Sequence, residues 1–183
     1  CRTGKRVKLS NSHKLFGQER EITEEAFPGD IIGLVGYPEF KIGDTLSEDP
    51  AIVYHETPRF PPECFAFLHN PSPVKYKPFR KGLTQLLAEE VAQCYTIRGG
   101  PQTSALLGAV GPLQFDVVQY RLEAEYGVAT KLEAAPWIIA RWLDASAPED
   151  MLWLSDSKLV EDSNGRPVVL FASDWSLRFC LER

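Results

Sequence analysis

Five side chains near the start of this 183-residue chain, Lys5, Arg6, Lys8, His13 and Lys14, are of the types that neutralise or hydrogen-bond phosphate. Residues 1–20 carry six basic residues (Arg2, Lys5, Arg6, Lys8, Lys14, Arg20) against Glu19 alone, a local charge of +5. Each Lys or Arg that meets a phosphate releases condensed counterions, so such a cluster suits the backbone of a nucleic acid. It equally suits a solvated strand face, the commoner role of short basic runs. A second stretch, residues 64–88, contains no acid and holds Lys75, Lys77, Arg80 and Lys81, a local +4. The remaining residues carry −14, so the total of −5 hides two basic zones in an acidic body.

Other chemistries find no support. Gly4-Lys5 and Lys81-Gly82 are the Gly/Lys neighbours, and neither sits in G-x-x-x-x-G-K-S/T, so no phosphate-cradling loop is expected and no nucleotide is assigned to this chain. His13, His55 and His69 are far apart and form no H-E-x-x-H or Cys/His ligand set, so no metal site is expected. No G-x-S-x-G elbow occurs, and no catalytic residue is assigned. Asp30 and Asp44 each follow a Gly, which is turn chemistry before it is a carboxylate pair. Cys1, Cys64, Cys94 and Cys180 are dispersed without a C-x-x-C and read as reduced thiols of a cytoplasmic protein. With 44% apolar and 25% charged residues the chain is neither disordered nor membrane-spanning; no stretch approaches about 20 uninterrupted apolar residues.

The elements that must position these residues follow from periodicity. Val7 and Leu9 alternate with charges and read as a strand after a turn at Thr3-Gly4; residues 10–18 read as a polar loop carrying His13 and Lys14. An extended piece at 19–23, a turn around Pro28-Gly29 and a buried strand at 31–35 come next. Residues 36–40 turn the chain, 42–46 close the segment, and Pro58, Pro61 and Pro62 form a stiff connector. The absence of an initiator Met and an opening in mid-hairpin suggest a fragment of a longer chain.

From residue 63 strands and helices alternate. A strand is expected at 64–69, and a helix with Phe79, Leu83, Leu86 and Leu87 inward, starting no earlier than Lys75 because of Pro78. Strands at 92–98 and 104–110 flank a loop at Gly99-Gly100-Pro101. Gly111-Pro112 opens a helix with Phe115, Val118, Leu122 and Tyr126 on one stripe and Gly127 as a left-handed cap. A strand at 128–132, an apolar run at 137–143, a loop at 145–150 and a turn at 151–154 follow. Then come a strand at 158–161, a two-residue hairpin signal at Asn164-Gly165 and a strand at 168–171. A terminal helix capped by Ser173-Asp174 has Leu177 and Cys180 or Leu181 inward. The order β-α-β-β-α-β over 64–132 is the ferredoxin-like split βαβ.

Several ordered words match a family: Ala26-Phe27-Pro28-Gly29-Asp30-Ile31-Ile32-Gly33-Leu34, Ile42-Gly43-Asp44-Thr45-Leu46, Phe79-Arg80-Lys81-Gly82-Leu83 and Ala140-Arg141-Trp142. The longest is Gly108-Ala109-Val110-Gly111-Pro112-Leu113-Gln114-Phe115-Asp116-Val117-Val118-Gln119-Tyr120-Arg121-Leu122. On these the chain resembles the C-terminal part of bacterial peptide chain release factor 3, a translational GTPase family related to elongation factor G. Pro78 and Val91 depart from the family pattern, which puts the ends of the first helix in question. The resemblance implies an α+β chain: residues 1–56 as the last part of a translation-factor β-barrel, and 57–183 as a ferredoxin-like domain with a C-terminal strand and helix extension.

It further implies a cytoplasmic ribosome-docking module with no bond-making chemistry of its own. The expected partners are ribosomal RNA and proteins, an N-terminal GTPase domain absent from this sequence, and, indirectly, class I release factors; no membrane is expected. GTP or GDP with Mg belongs to that absent domain. Lys5, Arg6, Lys8, His13 and Lys14 are the expected RNA contacts. The alternatives are the equivalent module of an elongation factor G-like GTPase and a free-standing ferredoxin-like enzyme of the acylphosphatase type, for which Asn70-Pro71-Ser72-Pro73 is a poor phosphate loop.

Overall fold

The structure is a computed structural model that describes residues 4–10, 12–16, 19–23, 25–27, 29–37, 39–40, 42–49, 51–54, 60–97, 104–144 and 156–182. Cys1, the start of the Thr3-Gly4 turn, Pro28, Pro58, the loop at 99–101, the segments at 145–150 and 151–154 and the expected boundary after residue 56 lie outside the described residues. The chain divides into two compact units, Cys1–Pro58 and Arg59–Arg183.

In the first unit, β1 (Ser12–Phe16) pairs antiparallel with β2 (Glu19–Ile22) on one side and β3 (Ile32–Leu34) on the other. Three expectations are corrected here. The polar loop at 10–18 contains the central strand, and residues 4–10, expected as a strand around Val7, join no ladder. Alternation alone cannot make a strand without a partner edge. The Tyr37 hydroxyl holds this segment instead, accepting from Ser10 N (2.6 Å) and donating to the Lys8 carbonyl (3.2 Å). The run at 31–35 is not a buried strand either: Ile31 and Val35 are 72% and 58% exposed, and the three paired residues are half-buried. No closed barrel forms among the described residues, and Thr45 is their one buried side chain in this unit.

The second unit is built on a four-stranded antiparallel sheet in the order β5-β6-β4-β7, formed by β4 (Cys64–His69), β5 (Gln93–Tyr95), β6 (Ser104–Ala109) and β7 (Lys131–Ala134). With α1 (Tyr76–Ala88) and α2 (Leu113–Tyr126) as crossovers this is the expected split βαβ. A short 3-10 turn, Pro73–Lys75, leads into α1, and Pro78 falls in its first turn, where little hydrogen bonding is lost. Strand β7 starts later than expected, because Gly127 at φ 65° ends α2 and Val128 N turns back to the Leu122 carbonyl (3.0 Å).

One sheet face carries the helices: Ala66, Leu68 and Leu107 pack with Phe79, Leu86, Phe115, Val118 and Leu122. The other face, with Phe65, Tyr95 and Leu106, meets a second antiparallel sheet in the order β8-β10-β9, from β8 (Ile139–Trp142), β9 (Lys158–Glu161) and β10 (Pro167–Phe171). Val168 and Leu170 of β10 face that core, while Val169 and Phe171 pack under α3 (Asp174–Leu181), so β10 is buried on both sides. The β9–β10 connection is not a two-residue turn. Gly165 N bonds Asp162 O and Gly165 takes φ 74°, giving a three-residue loop that closes on the Asp162 N to Arg166 O bond. In α3, Ser173 caps Ser176 N; Leu177 and Cys180 turn inward, and Leu181 is exposed.

Candidate nucleic-acid interface

Lys5, Arg6 and Lys8 stand exposed on one extended segment, with Val7 half-buried between them. They line an open groove of about 770 Å³ together with Glu39, Asp44, Glu48, Phe40 and Leu46. The groove therefore has mixed sign, and its carboxylates offset part of the positive field at short range. Arg6 and Lys8 have no ion-pair partner among the described residues. The acidic part of this lining was not singled out from the sequence, although Glu39, Asp44, Glu48 and Asp49 within eleven residues were its signal.

The other two expected contacts lie elsewhere in the unit. His13 is not a loop residue: it sits in β1 opposite Ile22 and Gly33, half-buried, with Nδ1 inaccessible and without a hydrogen-bond partner among the described residues. Lys14 follows it, opposite Glu21 and Ile32; its side chain is outside the described part. His13 is not among the described residues that line the groove. The structure thus brings together three of the five residues.

In the second unit a cavity of about 500 Å³ is lined by Phe67, His69, Tyr95, Ile97, Ser104, Leu106 and Glu133 among others. His69 Nε2 meets Glu133 Oε2 at 3.1 Å, its one hydrogen-bond partner among the described residues. Burial raises the Tyr95 phenol, with the Asp162 charge adding to it, and its hydroxyl donates to Gln93 Oε1 (2.9 Å). Among the described residues no side-chain hydroxyl or thiol is hydrogen-bonded to this imidazole–carboxylate pair. Cys64, Cys94 and Cys180 are free; burial raises the first two thiols, which leaves them weak nucleophiles. No group of three or more His, Cys, Asp or Glu able to hold a metal occurs among the described residues, and none of their helices is long and apolar enough to cross a membrane.

Comparison with known proteins decides between the readings. The family model for class II release factor RF3, C-terminal domain, matches residues 54–181, and that for elongation factor G domain 2 matches residues 1–49. The chain belongs to the release factor 3 family. Peptide chain release factor 3 of Gloeobacter violaceus is 48% identical over 185 residues, covering 100% of this chain and 35% of that protein. Those of Synechococcus elongatus and Acaryochloris marina are 45% and 46% identical over 97% of the chain. The chain spans about a third of the length of these release factor 3 relatives. The family words at Gly108 to Leu122 correspond to the end of β6, its loop and most of α2, inside the stretch matched by the release factor 3 C-terminal domain.

Proposed function

We propose that this chain is the part of a release factor 3 that docks on the ribosome, acting by contact rather than by bond-making chemistry. The observation that carries the reading is the family match over 54–181, on a unit in which Arg121 pairs with Glu89 and Glu125, Arg166 with Asp162 and Arg178 with Asp174 as structural ties. Residues 1–56 are read as the closing part of a translation-factor barrel and 57–183 as the C-terminal domain. The exposed Ile22, Phe27, Ile31, Val53 and Tyr54 support the first assignment, since apolar surface on that scale calls for cover by further chain. In the whole cytoplasmic protein a GTPase domain outside this sequence, loaded with GTP or GDP and Mg, rotates against these units. Docking is then coupled to departure of a class I release factor, because contacts that differ between two arrangements shift an equilibrium and equal contacts do not.

Lys5, Arg6 and Lys8 are the RNA contacts of this reading, with His13 and Lys14 of β1 as secondary candidates. The test is co-sedimentation with purified ribosomes across a salt series. Charge reversal at Lys5, Arg6 and Lys8 is expected to weaken binding about tenfold or more and to reduce the salt slope by about 2 to 3. Unchanged affinity at every salt concentration would remove these residues from the interface.

A further inference from the structure

The second basic zone of the sequence folds into one stripe. Lys77, Arg80 and Lys81 all lie exposed on α1, opposite Phe79, Leu83 and Leu86, which face the core. Four residues of helix place the three cations within about 6 Å along the axis, the reach of two or three neighbouring phosphates. None of the three has an ion-pair partner among the described residues, whereas Arg121, Arg166 and Arg178 of the same unit are each paired. Arg80 lies over the Tyr76 ring (5.9 Å to its centre), which holds the guanidinium in place without neutralising it.

The charge order along α1 runs against helix stability. It has no acid in its first turn and no base in its last, and Glu89 and Glu90 follow its C-terminal end. The macrodipole favours the reverse. α3 follows that rule, with Asp174 in its first turn and Arg178 in its last, and α2 has Asp116 in its first turn. Cations at the positive end of a helix add to its field, which weakens the helix but strengthens attraction for a polyanion. Lysine is depleted from protein–protein interfaces, while Lys and Arg dominate phosphate contacts.

We propose that Lys77, Arg80 and Lys81 of α1 form a second contact surface, one that takes the phosphate backbone of RNA. This deepens the docking reading and rests on it. It adds a contact on the second unit, separate in sequence from Lys5, Arg6 and Lys8.

The test uses the 183-residue chain with two probes, purified ribosomes and a short RNA duplex, titrated between about 50 and 200 mM salt. The triple variant Lys77→Ala, Arg80→Ala, Lys81→Ala is expected to lower the log–log salt slope by about 2 to 3 on both probes. Lys77→Glu is expected to raise the melting midpoint by about 1 °C while weakening binding, opposite signs that a merely structural role does not produce. If the unaltered chain binds ribosomes and the triple variant leaves affinity and slope unchanged, this proposal falls and the docking reading stands. Loss on ribosomes with an unaltered duplex titration points to an acidic ribosomal protein and overturns the RNA assignment. If the unaltered chain fails to bind ribosomes, the docking reading falls and the duplex titration decides the role of α1 by the same slope.

Discussion

Glu90 adopts φ 58°, the one non-glycine residue with positive φ among those described. Its N–H bonds the Leu87 carbonyl (3.1 Å) and the next N–H, that of Val91, bonds the Leu86 carbonyl (3.4 Å), the paired bonds of a Schellman ending for α1. A left-handed L-residue costs about 1–2 kcal/mol that glycine does not. Glu90→Gly should therefore stabilise the chain by about 1 kcal/mol in a urea melt. The sequence pattern pointed to Val91 as the unusual residue after this helix; the strained position is one residue earlier, because the hydrogen-bond pattern sets the register and residue type does not. At the other helix, Gly127 was readable because its residue type and its conformation agree. Asp162 was hidden in a turn signal. Its carboxylate accepts from Trp142 Nε1 (3.0 Å), the backbone N–H groups of Asn164 and Arg166 (2.9 Å each) and Arg166 Nε (2.9 Å). Burial pulls its pKa up, but these donors outweigh burial and hold it below the ordinary 3.8. A lowered folded pKa gives stability that is present above the unfolded value and lost as pH falls through the folded one. Asp162→Asn should cost about 2 kcal/mol at neutral pH, and the gap to the unaltered chain should narrow in melts run below about pH 4.

Elements with a strong period, α1, α2, β4 and β10, were legible, since each buries a stripe or both faces and its apolar spacing reports that directly. β1 was not, because Ser12, His13 and Lys14 look like loop chemistry until two partner strands claim their backbone. The same reason removes the strand at Val7 and takes His13 out of the exposed cluster, so the basic site was legible in composition and only partly in geometry. The long Gly108 to Leu122 family block has a local explanation in Gln114. Its Oε1 accepts from Val110 N (2.9 Å) and Gly111 N (3.1 Å), and its Nε2 donates to the Val91 carbonyl (2.9 Å), tying the start of α2 to the loop after α1. Gln114→Ala should cost about 2 kcal/mol, and Gln114→Glu should restore less than half, since a carboxylate keeps the acceptor and loses the donor. Thermal melts of the two variants check this. Gly108 in β6 is fixed by space: a Cβ there would come within 2.8 Å of Tyr95 Cε2 and 2.9 Å of Phe65 Cε1.

The two units differ in how much core each one owns. Leu68, Leu86, Leu107, Val118, Leu122, Val168 and Leu170 are fully buried in the second; the described part of the first buries Thr45. Local stability follows buried apolar contact, so amide exchange should be fastest in β1 to β3 and slowest in β4, β6 and β10 when followed by mass spectrometry. Comparable protection in the two units would show that the first has cover not seen among its described residues. In the second unit, Thr96 and Glu161 exchange both backbone bonds (2.8 and 2.9 Å), joining the end of β5 to β9. Of the four outer strands of the two sheets, β5, β7, β8 and β9, this bridge closes two upon each other at that point. Lys131 and Glu133 place charges along β7, a third. A border that is bridged or charged offers little template to a stray strand, so these three edges are guarded against pairing with the unit's own copies or with nascent chains.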